Sequence, residues 1–131
     1  MSEPSDVRGL TAAVQRYFDL MYDYDTSKFD RVFSPTSQLH GLREGKISNW
    51  PAPKYKEILA GRESPQSLKA PREEAILLMD FASPTQALVK VRVRLNTAVF
   101  IDYLTYHRID GDWLITSKGY HLESNKVPAH A

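Results

Sequence analysis

One carboxylate in this sequence stands where a carboxylate is costly. Asp102 lies between Phe100 and Leu104 on a segment whose alternate residues are apolar. A strand there turns Asp102 to the same side as its hydrophobic neighbours. An aspartate taken out of water holds its proton to higher pH and becomes a candidate general base or hydrogen-bond acceptor. His121 falls on the same expected face and could complete an acid–base pair. The plainer alternatives are an Asp102 paired with an arginine or a tyrosine hydroxyl, and a partly exposed His121 near the chain end. Tyr17 and Tyr106 are the expected cavity tyrosines, one from a covering helix and one from a sheet. Trp113 and His40 complete the expected ligand-contacting set. Tyr22, Tyr24, Trp50 and Tyr55 add further aromatic surface, suited to stacking on a flat ring.

Other chemistries have no residues to carry them. The chain has no cysteine, which removes thiol catalysis and Cys-ligated metal. No two of its four histidines stand at helical i, i+4 spacing or within a dense acidic cluster. The six glycines form no phosphate-binding loop, nucleophile elbow or dinucleotide fingerprint. Neither a metal nor a cofactor is expected.

The elements that must position these residues are legible as patterns. Val7, Leu10, Val14, Tyr17, Phe18 and Met21 make one helical stripe, predicting a helix from Asp6 to Tyr24 with Ser5 as N-cap. A short helix follows, capped by Asp25 or Thr26, carrying Phe29, Val32 and Phe33 and stopped by Pro35. Ser37 to Arg43 reads as a strand that turns at Glu44-Gly45 toward Ile47. The Pro51/Pro53 pair starts a helix that buries Tyr55, Ile58 and Leu59 and ends at Gly61. Residues 62–72 read as loop, and Glu73 to Ala82 as strand.

Two consecutive hairpins then organise the chain. Ala87, Val89, Val91, Val93 and Leu95 alternate with Lys90, Arg92 and Arg94. Two-residue loops at Asn96-Thr97 and Asp110-Gly111 would set Val91 opposite Asp102, Tyr106 opposite Ile115, and Asp102 opposite Gly119. One face then collects Asp102, Leu104, Tyr106, Trp113, Ile115, Ser117, Gly119 and His121. The other collects Lys90, Arg92, Arg94, Ile101, Tyr103, His107, Lys118 and Tyr120. Residues 124–131 read as a frayed tail.

Bulk properties bound the class. A chain of 131 residues fits one domain, 1–131, with an ordered core of about 6–123. It is 42% hydrophobic and 25% charged, as soluble proteins are. A net charge of +1 gives no general attraction to nucleic acid or an anionic membrane. No apolar run is long enough to span a bilayer, and the first residues carry no apolar leader, so a cytoplasmic location is expected. Helices first, then strands in succession, predict an α+β fold with helices across one face of a curved, mainly antiparallel sheet.

The segment from Phe100 to His121 resembles the C-terminal signature of the nuclear transport factor 2-like superfamily, and more narrowly its lumazine-binding branch, related to the SnoaL-like proteins. The matching features are Asp102, the Asp110-Gly111 turn, Trp113 and Ile115, and Lys118; residues 17–33 are similar to the family's first two helices. The resemblance implies a cystatin-like cone and a homodimer packed through the sheet. On that basis Arg92, Arg94, Tyr103, Lys118 and Tyr120 are the expected subunit interface, though a solvated outer face fits the residues almost equally well. Three functions follow as expectations. The first is a protein that binds a small hydrophobic or aromatic molecule, with no assigned reaction. The second is a cofactor-free isomerase, dehydratase or cyclase using Asp102 with Tyr106 or His121. The third is a protein-interaction module.

Overall fold

In a computed structural model, which describes residues 5–126, the first helix, α1, spans Val7–Asp23. Asp6 rather than Ser5 is its N-cap, accepting a hydrogen bond from the Gly9 N–H at 3.0 Å. The buried face holds Leu10, Ala13, Val14, Tyr17, Phe18, Leu20 and Met21, while Val7 is exposed. Tyr24 ends the helix in the left-handed region, at φ 53°, and its N–H bonds the Leu20 carbonyl. Glycine is the usual residue in that conformation, because a side chain there crowds the following carbonyl.

A 3-10 turn covers Thr26–Arg31, capped by Asp25. The chain is already extended at Phe33, so Pro35 lies inside a strand instead of ending a helix. The remaining elements are β1 (Phe33–Arg43), β2 (Lys46–Pro51), α2 (Ala52–Ala60), β3 (Glu74–Ser83), β4 (Gln86–Leu95), β5 (Ala98–Ile109) and β6 (Asp112–Asn125). Ser124 and Asn125 thus belong to β6, and the Lys126 N–H bonds the Thr97 carbonyl. The rest of the expected frayed tail, 127–131, lies outside the described residues. Two-residue turns close four hairpins; β3–β4 turns at Pro84-Thr85, and the other three have positive φ at Glu44 and Gly45, at Asn96, and at Asp110 and Gly111.

The six strands form one curved sheet in the order β2-β1-β6-β5-β4-β3. All neighbours are antiparallel except β1 and β6, which run parallel. Helices pack across the concave face. The core between the layers joins α1 to Val89, Val91, Val93, Leu104, Tyr106, Trp113 and Ile115.

The β5–β6 register departs from two-residue alternation at two places, at Glu123 opposite the start of β5 and, in mid-strand, at Thr116. Tyr106 pairs with Ile115 as expected, but Thr105 pairs with Ser117, leaving Thr116 as an extra residue. This is a β-bulge, which kinks its strand and moves the following residues to the opposite face. Asp102 therefore faces Tyr120 rather than Gly119. The Thr116 hydroxyl lies 2.6 Å from His107 Nδ1 and donates to the Thr105 carbonyl at 3.4 Å, so side chains occupy the gap in the ladder. Beyond the bulge Lys118 and Tyr120 point inward, and Ser117 and His121 are exposed.

Deleting Thr116 should restore even pairing, turn Lys118 and Tyr120 outward, and lower stability by about 2–5 kcal/mol, as losing a large core side chain does. Urea unfolding followed by circular dichroism measures this. An unchanged midpoint would show that the register beyond the bulge carries no packing energy.

Candidate functional site

Two cross-strand rows build the floor of a cavity of about 350 Å³. Trp50, Leu39, Lys118 and Leu104 occupy matched positions on β2, β1, β6 and β5. In the next row Gly41, Tyr120 and Asp102 follow one another across β1, β6 and β5. A side chain at Gly41 has no room, since a Cβ there would meet the Tyr120 ring. Gly41 thus lets the ring lie flat across the sheet. Tyr55 of α2 closes one wall, Leu95, Ala98 and Phe100 form the other, and Tyr24, Arg43 and Arg62 stand at the exposed rim. The left-handed backbone at Tyr24 delivers its ring to this rim.

The aromatic wall is nearly flat. Trp50 lies close to parallel with Tyr55, at 16° and 6.0 Å between centroids, and with Tyr120, at 26° and 6.2 Å. Phe100 meets Tyr120 edge-on. Offset parallel rings of this kind present π-faces suited to another flat ring.

Asp102 is 1% exposed. The Tyr17 hydroxyl of α1 donates to its Oδ2 at 2.5 Å, the range of a charge-assisted O–H···O⁻ bond. Its Oδ1 is buried with no partner. Burial raises the Asp102 carboxyl above its ordinary value, and the nearby Lys118 charge and the Tyr17 bond only partly offset this. Tyr17 is pushed well up, by burial first and by the Asp102 charge second, so it remains a donor.

Lys118 is 4% exposed and makes no ion pair within 4.0 Å among the described residues. Its Nζ donates to the Tyr55 hydroxyl at 3.4 Å and weakly to Met21 Sδ at 3.9 Å. It also lies 5.2, 5.0 and 5.9 Å from the ring centres of Tyr17, Tyr55 and Tyr120. Burial pushes the ammonium down, but Tyr55 and the Asp102 charge outweigh it and hold Lys118 above the ordinary lysine value. The floor therefore offers an acceptor at Asp102 Oδ1, a cationic donor at Lys118 Nζ, and the Tyr120 hydroxyl, which is also buried without a partner. Such a set can read a ring with adjacent N–H and carbonyl groups.

The residues singled out from sequence divide. Asp102 is at the cavity and Tyr17 anchors it from α1. Tyr106 and Trp113 are core residues that do not line the cavity. Trp113 instead packs edge-on against Phe81 and donates from Nε1 to the helix-capping Asp6 at 3.0 Å. His121 pairs across β5 with Ile101 on the convex face, because the bulge reverses its side. His40 is exposed and pairs with Gly119 on that same face. Lys118 and Tyr120, placed from sequence at the outer face, line the cavity instead. Arg92, Arg94 and Tyr103 stay on the convex side, where Arg92 pairs with Glu123 and Arg94 with Glu73. No three His, Asp or Glu side chains cluster as metal ligands among the described residues.

Helices laid over a six-stranded curved sheet, with a polar floor beneath aromatic walls, define the α+β cone class. A family model described as "Putative lumazine-binding" matches residues 5–121, and the chain belongs to that family. Solved structures agree on the fold. A nuclear transport factor 2-like protein of unknown function from Shewanella baltica superposes with a TM-score of 0.81 at 18% identity, over 94% of this chain and 100% of its own. One from Silicibacter pomeroyi, also of unknown function, gives 0.79 at 22% identity, over 89% and 95%. A ketosteroid isomerase-like protein from Erwinia carotovora gives 0.72 at 11% identity, over 93% and 99%. No curated protein matches the sequence.

The raised Asp102 value sets a pH signature. An unfolded aspartate titrates near 3.8, whereas the folded carboxyl keeps its proton to higher pH. The stability it contributes is fully present below pH 3.8 and is lost as pH rises through the folded value. Between pH 4 and 7 the wild type should lose stability relative to Asp102→Asn, whose amide does not titrate. Urea midpoints of both proteins at pH 4, 5.5 and 7 test this. A constant difference would mean that Asp102 titrates normally.

Proposed function

We propose that this protein binds a small planar ring compound in the cavity between α2 and the sheet. The carrying observation is the buried, unpartnered Oδ1 of Asp102 near the buried ammonium of Lys118, which has no carboxylate within 4.0 Å among the described residues. Leaving a buried acceptor unmade costs about 1–3 kcal/mol, a loss that a ligand donor would recover. The family description supports a pteridine such as lumazine as the first probe, because its ring alternates N–H and carbonyl groups along one edge. A ring stacked on Trp50 and Tyr120 would present an N–H to Asp102 and a carbonyl to Lys118.

The same pair supports a second reading. A carboxylate with a raised pKa can take a proton from a carbon next to a carbonyl whose oxygen Lys118 holds, and return it elsewhere on the same molecule. That is isomerisation without a cofactor, and the Tyr17 bond would fix the carboxylate's orientation. The pocket assigned here needs no such step to bind.

The homodimer remains part of the proposal. Tyr103 is 47% exposed on the convex face, under the Lys90 ammonium at 5.6 Å, with Ile101 next to it on the same face. In sedimentation velocity the wild type should run as a dimer and Tyr103→Glu as a monomer. A monomeric wild type would overturn the assignment.

For the pocket, calorimetric titration with lumazine should show binding that weakens about 10- to 100-fold in Asp102→Asn, the worth of a hydrogen bond to a charged group. Trp50→Leu should weaken it about tenfold through lost stacking. Binding equal in all three proteins, or absent in the wild type, would refute the proposal.

A further inference from the structure

The rim of the cavity is charged in one sense. Arg43 and Arg62 both line it and both are exposed. Neither makes an ion pair with a described residue. Arg62 holds its guanidinium 6.0 Å from the Trp50 ring centre, at the edge of the aromatic wall. Their acidic sequence neighbours, Glu44 and Glu63, do not line the cavity. With Lys118, three cations thus face a single anion, Asp102, and that anion is at the floor.

From this arrangement we infer that the ligand is a planar ring carrying an anionic substituent, which points out of the cavity between Arg43 and Arg62. The inference rests on the pocket assigned above and adds a polarity to it. The ring's donor edge goes down, toward the unpartnered Asp102 Oδ1. Its acid goes up, toward two guanidinium groups whose forked N–H donors match a carboxylate. The reverse orientation would bring an anion against a buried carboxylate, a repulsion the Lys118 charge only partly cancels. Asp102 therefore selects direction as well as composition, by rejecting acid at the floor.

The test compares two probes that differ only in the acid, lumazine and 6-carboxylumazine, by calorimetry at pH 7.5. The carboxylated probe should bind roughly tenfold more tightly to the wild type, the sum expected from two exposed charge pairs. In the Arg43→Gln/Arg62→Gln double variant the two probes should bind within about threefold of each other. The wild-type preference should also shrink between 50 and 500 mM sodium chloride, since ions screen exposed charges but do not alter ring stacking. Equal affinities in the wild type, with both weakened in Asp102→Asn, would overturn the anionic substituent and leave the pocket standing. A preference that survives in the double variant, or at high salt, would equally overturn it. Failure of both probes to bind the wild type would overturn the inference and the pocket together.

Discussion

A single extra residue, Thr116, decides what the inside of this protein is made of. Up to Ile115 the odd-numbered residues of β6 face the core. After Thr116 the even-numbered ones do, and Lys118 and Tyr120 replace Ser117 and Gly119 beside Asp102. Without that slip the floor of the cavity would hold a lone aspartate among small residues. With it, the carboxylate gains a cation within electrostatic range and a ring across its strand partner. The bulge also adds curvature where the sheet must wrap around α1, so one irregularity serves both the shape and the polarity of the cavity.

The two charges at the floor are held in an unequal way. Asp102 has one firm hydrogen bond, from a tyrosine that burial keeps protonated. Lys118 has three aromatic rings and two long hydrogen bonds, to the Tyr55 hydroxyl and Met21 Sδ, in place of carboxylate contact. A closed ion pair would have satisfied both groups and left little for a ligand to do. Held apart, each keeps unused hydrogen-bonding capacity directed at the cavity. A core selected for stability alone would not leave two such groups half-satisfied, and strained or unsatisfied features of this kind concentrate at functional sites.

Much of this was legible in the residue pattern, and the misplacing of Lys118, Tyr120 and His121 has one cause. Element order, the two tight hairpin turns and the inward orientation of Asp102 follow from hydrophobic alternation and turn chemistry, both local properties. The bulge is not local. It is set by how β6 meets β5 and, in parallel, β1, and no window of β6 alone shows it. One signal was present. Continuing the expected face past Ile115 assigns Ser117, Gly119 and His121 to the core, while Tyr120, the one aromatic residue nearby, goes outside. That loss of apolar character marks a change of parity. Trp113 failed differently: its type suggested a ligand wall, but its N–H is committed to the cap of α1. His40 lies on β1, whose facing is fixed by its parallel partner.

The cone has two ends with different physics. At the Trp113 end, Trp113, Phe81 and Asp6 lock the start of α1 to the sheet with an indole hydrogen bond and edge-on ring packing. At the other end the rim cations carry no counter-ion among the described residues, and polar atoms of Asp102 and Tyr120 are buried without partners, as the Tyr106 hydroxyl and Ser37 Oγ are away from the cavity. The helix lock and the cavity thus sit at different ends of the sheet, with β6 contributing Trp113 to the one and Lys118 and Tyr120 to the other. The locked end constrains packing, whereas the open end constrains only the few side chains that meet a ligand. Tyr120 and Arg62, which meet Trp50 and not α1, illustrate such positions. The chemistry of this chain must therefore be argued from its own cavity.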